Sequence, residues 1–334
     1  MTAIERLKHF ASDNQIMIVL LAIVVGVIFP QRLAPLNAYS TLLLMLIFFV
    51  SSLRLDLGEL TSYVKDWKML SVSNLIMLVL MPLAMWLPCW VFAPDWALAF
   101  LIVGAAPTGL TIALVADLFG GRQSLAMLIA VTTSLLAPLT MPFVLWLVVG
   151  QTVEFPIFSM FSSLLLTMVV PFIAAMLIKS RARKFIEHHD VVWREISLLI
   201  FGVLVAGITA ASLIGSDYTF NPHDLGIVIV MTAFMGGVAW FGYATTYWRN
   251  PAERVTIALC LVYMNNTVAL YIGDKYFAET NVVPKLIIIL GAVNLLLPPL
   301  KWIATKVIKK ETNNNTNRRL KRRPVRRAGV ERSF

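Results

Sequence analysis

The chain has 334 residues, 59% of them apolar and only 14% charged, and its mean hydropathy is +0.79. Soluble domains carry about 25% charged residues, so a soluble globule is excluded. The net charge of +10 does not mark a nucleic-acid surface, because its excess lies in the stretch from Lys301 through Arg332 and belongs to a tail.

Lipid cannot satisfy backbone amides and carbonyls, so each apolar run must be a helix of roughly 20 residues. Residues 1–14 carry Glu5, Arg6, Lys8 and Asp13, and no small-residue cleavage site follows the first apolar run. They are expected to be a retained cytoplasmic segment rather than a cleaved signal. Helical spans follow near 15–30, 37–53, 68–92, 95–119 and 123–149, which make a first repeat over 15–149. Further spans near 155–178, 196–215, 225–247, 253–273 and 283–308 make a second repeat over 155–308. Residues 309–334 form a basic tail that is expected to be disordered and to associate with anionic lipid on the cytoplasmic side.

The connections test this parse, since cytoplasmic loops collect Lys and Arg. One side holds 25 of the 28 basic residues and the other holds 3, a segregation that an odd number of spans would scramble. Both termini are therefore expected in the cytoplasm, in a multi-pass protein of the plasma (inner) membrane.

The halves repeat. Leu135-Leu136-Ala137-Pro138-Leu139 of the fifth span recurs in the tenth as Leu296-Leu297-Pro298-Pro299-Leu300. The fourth span is interrupted by Pro107-Thr108-Gly109 and the ninth by Met264-Asn265-Asn266-Thr267. Five spans per half is an odd number, so the second half enters from the opposite face. Inverted repeats with paired broken helices mark transporters, whose solute and ion sites use unwound backbone near the midplane. The expected fold is an all-α integral membrane protein of ten transmembrane helices in two inverted five-helix repeats, with the fourth and ninth broken and crossing.

The candidate solute or ion site follows from those breaks. Pro107 removes an amide and Gly109 loosens the backbone, which frees the carbonyls from Gly104 to Ala106 for a cation and amides from Leu110 onward for an anion. Thr111 follows at once. Asn265 and Asn266 are adjacent in an apolar helix, so at least one must meet protein or water. Thr132, Thr133 and Ser134 add hydroxyls, which can equally bond back to their own helix. Asp117 is the only carboxylate inside a predicted span beyond its first residue and the best titratable candidate for a proton site, although about 15 Å of helix beyond Pro107 puts it near the cytoplasmic mouth. His9, His188, His189 and His223 fall in terminal or connecting segments, and Cys89 and Cys260 have neither redox nor ligand spacing. No metal site, cofactor or catalytic motif is expected.

These motifs resemble the bile acid:sodium symporter family over most of the chain. The family's Pro-Gly-Gly-Thr-Ala-Ser-Asn meets Pro107-Thr108-Gly109-Leu110-Thr111-Ile112-Ala113, and its Leu-Leu-Ala-Pro meets Leu135-Leu136-Ala137-Pro138. Its Gln, three residues, then Met-Pro meets Met77 to Met81-Pro82, and its Glu-x-Gly-Met-Gln-Asn meets Leu261 to Asn266. The resemblance implies a panel domain and a core domain that move against each other in alternating access. It also implies that the side chains holding sodium in the family fall here on Met77, Ile112, Ala113, Ala126, Ala130 and Leu261, all apolar, which leaves Asn265 and Asn266. A cation sheds water only where oxygens replace it.

The leading expectation is a secondary transporter of a small organic anion or sterol-like amphiphile, driven by sodium, protons or its own gradient. One alternative is a metalloid (arsenite) efflux permease, which the resemblance would imply only with a thiol on the fourth span and an acid on the ninth. Neither is present, since Leu261 occupies the acid's position. Another is a non-transporting membrane sensor with the same fold.

Overall fold

The computed structural model describes residues 17–55, 67–150, 156–214, 218–219 and 221–294. The expectations for residues 1–14, for the 309–334 tail and for Leu296–Leu300 lie outside the described residues. Every regular element described is a helix: α1 (Met17–Ile28), α2 (Pro30–Leu53), α3 (Trp67–Phe92), α4 (Pro94–Ala105), α5 (Ile112–Leu118) and α6 (Gln123–Val149) come first. They are followed by α7 (Ile157–His188), α8 (Asp190–Ile214), α9 (Pro222–Thr245), α10 (Pro251–Val262), α11 (Asn266–Phe277) and α12 (Val282–Asn294). Six of these, α2, α3, α6, α7, α8 and α9, are long and apolar enough to cross a membrane, and α1, α4 and α12 are shorter apolar helices.

Prolines shape the long helices. In α3 a wide π-helical turn, Ile76–Leu80, immediately precedes Met81-Pro82, and in α7 another, Leu165–Val169, precedes Val170-Pro171. A proline ring clashes with the carbonyl one turn back, and the wider turn accommodates it. The sequence places the end of the sixth span near 178, whereas α7 runs on to His188 with a kink at Ala182. The extension is polar, rich in helix formers, and carries the i,i+4 pair Arg183 and Glu187 at 2.6 Å, so the helix continues beyond its apolar stretch. Likewise α8 begins at Asp190, ahead of the expected 196, with the acid in its first turn where the helix dipole favours it.

Large apolar side chains cover the outside: Phe92, Phe158, Trp240 and Trp248 are each more than half exposed. Such a surface suits lipid and not water. Inside are two main apolar clusters, and the broken helices divide between them. Trp96, Phe100 and Ala105 of α4 and Val268 to Ile272 of α11 belong to one cluster, while Ile112, Ala113, Val115 and Ala116 of α5 and Val255, Ile257 and Leu259 to Leu261 of α10 belong to the other. The breaks therefore lie at the boundary between two packed layers.

Polar ties close the layer that contains α4 and α11. Asp224 accepts from Tyr218 Oη at 2.6 Å and from Trp96 Nε1 at 3.2 Å, and Lys285 donates to the Asp95 carbonyl, which joins the starts of α4, α9 and α12. Burial, followed by the hydrogen bond to Asp224 and its charge, pushes the Tyr218 hydroxyl well above its ordinary pKa. Nearby, the Tyr271 hydroxyl bonds with Ser163 at 2.8 Å and Thr41 at 3.2 Å, and Asn37 donates to Asp274 at 2.9 Å. These contacts tie α11 to α7 and to the first turns of α2. The last turn of α2, roughly 25 Å away along the helix, borders the cavity described next.

Candidate transport site

The break in α4 begins with local sterics. A residue before proline is pushed out of the helical region, and Ala106 is extended at φ −67° and ψ 143°. In the partner break Tyr263 leaves the helix at φ −92° and ψ 75°. The two unwound segments pair with each other as an isolated antiparallel bridge between Thr108 and Met264. Gly109 N donates to the Tyr263 carbonyl at 3.0 Å, and Asn265 N donates to the Pro107 carbonyl at 2.7 Å. Backbone groups that lipid could never satisfy thus satisfy one another. Gly109 suits the close approach: a Cβ there would sit 3.0 Å from Tyr263 Cε1, so the Tyr263 ring would have to give by a few tenths of an ångström.

Side chains fasten this bridge. The Asn265 side-chain oxygen accepts from Val268 N at 3.3 Å and caps α11. Thr133 Oγ1 accepts from Thr108 N at 3.2 Å while donating to Ile129 O at 2.8 Å, so α6 supports the break from behind. Thr111 and Tyr263 hydrogen-bond through their hydroxyls at 3.0 Å. Thr132 turns to Asn74 of α3 at 3.2 Å, and Ser134 is buried with no partner for its hydroxyl among the described residues.

A cavity with about 1030 Å³ of atom-free space, part of it open to solvent, lies against the bridge. Gly109, Thr111, Met264, Asn265, Asn266 and Thr267 line it. Pro107 and Thr108 form the strand behind it, and Thr132, Thr133 and Ser134 are not among its lining residues. The adjacent asparagines divide the work: Asn265 is 8% exposed and caps its helix, while Asn266 is more open. Asp117 is exposed at the far end of α5 and is not part of the lining.

The cavity also includes side chains that span counting passed over: Ser51 and Arg54 from α2 and the residue after it, Arg194 and Ser197 from α8, and Asn294 from α12. Their signal in the sequence was a polar residue at the edge of, or within, an apolar run. The positions that the resemblance assigns to sodium are also brought together. Met77, Ile112, Ala113, Ala126, Ala130 and Leu261 are all buried members of one apolar cluster, and the Thr108 hydroxyl points into it, 3.6 Å from Met77 Sδ and 3.5 Å from Cys260 O. Among the described residues no group of three or more His, Cys, Asp or Glu side chains could hold a metal ion.

A helical membrane protein in which two breaks pair beside a polar-lined cavity has the construction of a membrane transporter. The model of the Sodium Bile acid symporter family matches residues 41–217, more than half of the chain, and the chain belongs to that family. It is similar to sodium/bile acid cotransporter 7-A of Xenopus laevis, 25% identical over 78% of this chain and 82% of the relative. Sodium/bile acid cotransporter 7 of Mus musculus is 26% identical over the same shares. The uncharacterized sodium-dependent transporter YocS of Bacillus subtilis (strain 168) is 24% identical over 86% of this chain and 89% of its own length.

Proposed function

We propose that this chain is a secondary transporter that carries a small organic anion or sterol-like amphiphile by alternating access, with the solute bound in the cavity beside the paired breaks. The observation that carries the reading is the Thr108 to Met264 bridge, with Asn266, Thr267 and Thr111 presented on its cavity side. The cavity's mixed lining, with Phe201 and Leu290 near the asparagines, suits a molecule with an apolar body and a few polar atoms. The ten-helix inverted repeat and both termini in the cytoplasm of a plasma-membrane protein belong to the same reading, supported by the charge segregation along the chain. On this orientation the cavity opens inward, and the ties at Tyr271 and Asp274 close the outer side.

Coupling is proposed to differ from what the relatives' names say of them. A sodium ion needs about five or six oxygens, and the apolar cluster around Met77 and Leu261 offers few. The test is a solute-uptake screen in proteoliposomes with sodium and pH gradients imposed separately. Accumulation or exchange of at least one organic anion supports the reading, and a protein that binds solutes yet moves none would be a sensor instead.

A further inference from the structure

At the end of α11 far from the breaks, an acid meets an amide whose hydrogen bonds do not close. Asp274 Oδ1 accepts from Asn37 Nδ2 at 2.9 Å, and Asp274 Oδ2 has no partner among the described residues. The anomaly is the other atom of the amide. Asn37 Oδ1 is buried and has no hydrogen-bond partner among the described residues. Leaving a buried acceptor unpaired costs about 1–3 kcal/mol. The turn that carries Asn37 is held tightly, since a Cβ on Gly207 of α8 would lie 3.4 Å from Asn37 N and 3.1 Å from Leu36 Cβ.

Asp274 forms no ion pair among the described residues. On α11 itself, Lys275 is turned to Ser163 Oγ at 2.9 Å and Tyr271 Oη at 2.8 Å, Tyr276 is half-buried, and Glu279 lies exposed beyond the helix. From α2 come Arg32 and Tyr39, both exposed. Lys285 of α12 donates to the carbonyl of Asp95, itself exposed at the start of α4. Residues 157–178 of α7 and 198–214 of α8 contain no titratable group. What faces Asp274 is therefore an amide that donates to one carboxyl oxygen and lacks a donor for its own.

A carboxylate offers only acceptors, whereas a carboxylic acid offers one donor as well. Against an amide, that donor completes a ring of two hydrogen bonds. We propose that Asp274 is a binding site for an external proton, held as Oδ2–H donating to Asn37 Oδ1, and that this proton fastens the outer ends of α2 and α11 together. On the transport reading, on which the gating role rests, the cavity opens inward in this conformation and Asp274 lies on the closed outer side. Closure takes the proton from the outer water onto Oδ2, and opening returns it to the same water, so the proton sets the gate without crossing the membrane. When pH rises, Asp274 ionises, the donor is lost, and a charge stands against the Asn37 oxygen. The neighbouring tie between Thr41 and Tyr271 involves neutral hydroxyls.

The test uses the full chain in detergent, titrated with acid and base. Infrared spectra should show a protonated carboxyl band that persists at least about two pH units above the ordinary aspartate value of about 3.9 and is missing from Asp274→Asn. Spin labels at Tyr39→Cys and Glu279→Cys, both exposed positions, read the separation of α2 and α11. Above the midpoint of the band, the ratio of short to long distances should fall by up to about tenfold per pH unit, the slope of one linked proton. In Asp274→Asn the distance should stay short at every pH, because an amide there donates to Asn37 Oδ1 permanently. Absence of the band, a band unchanged in Asp274→Asn, a label distance that ignores pH in the unaltered pair, or an Asn variant that opens with pH as the unaltered pair does would each overturn the proposal. Uptake in proteoliposomes separates this from the transport reading: a proton-dependent distance in a chain that moves no solute sinks transport alone, while uptake by a chain that lacks the band sinks the proton site alone.

Discussion

Pro107 and Asn265 are joined by a backbone hydrogen bond of 2.7 Å, so the residue that breaks one helix supplies the carbonyl that receives the amide starting another. Pro107 has no amide to donate, but its carbonyl, freed by the break, accepts the Asn265 amide, which has no helical acceptor at its position. The same asparagine caps α11 through its side chain. The Asn265→Ala variant should therefore lose about 1 kcal/mol of stability through the cap and lose uptake further, because Met264 and Asn266 move with it. Thermal unfolding and uptake measured on one preparation would show both, and an uptake rate equal to that of the unaltered chain would remove Asn265 from the site.

Close approach makes a second prediction. A Cβ on Gly104 would lie 2.7 Å from Pro82 Cα and 3.1 Å from Met85 Sδ, and the backbone of α3 cannot yield as a side chain can. Gly104→Ala should destabilise by about 1–3 kcal/mol through overpacking. Gly226 in α9 has nothing within 4 Å of its ideal Cβ, so Gly226→Ala should be neutral or stabilising by up to about 1 kcal/mol. Unfolding temperatures in detergent compare the two, and similar values would mean that α3 and α4 are not packed as described.

Coupling gives the third. The positions assigned to sodium are filled by the buried side chains Met77, Ile112, Ala113, Ala126, Ala130 and Leu261, and burying a cation among them is costly without oxygens to replace its water. Uptake should be unchanged when sodium is replaced by potassium or choline. Steep sodium dependence with Asn265 and Asn266 essential would mean that carbonyls and amides suffice.

Proton coupling is the companion case. Asp117 is exposed and outside the cavity, so Asp117→Asn should leave the pH profile of uptake as it was. A profile flattened by that change would make Asp117 the proton carrier.

Orientation is tested by labelling. The Ala182→Cys and Thr152→Cys variants should react with an impermeant thiol reagent from opposite faces, with position 182 cytoplasmic. The native thiols Cys89 and Cys260 are buried and should stay silent. Both positions reacting from one face would overturn the span parse.

Much of this was legible along the chain because it depends on contacts local in sequence. The apolar run 123–149 coincides with α6, since lipid permits no other backbone for it. The break at Pro107 follows from one ring and the residue before it, and the extension of α7 to His188 was missed because hydropathy follows lipid and not helix propensity. Other features needed the tertiary structure. That the freed groups at 107–109 and 263–265 bond one another, that Asn265 caps its own helix while Asn266 is left more open to the cavity, and that Arg54 and Arg194 line one cavity all depend on pairings between distant segments. Any of those side chains could have been an ordinary helix-end residue in another packing. Local sterics decide where a membrane helix must stop, but only the arrangement of helices around the stop decides which polar groups are used up there and which are left facing a cavity.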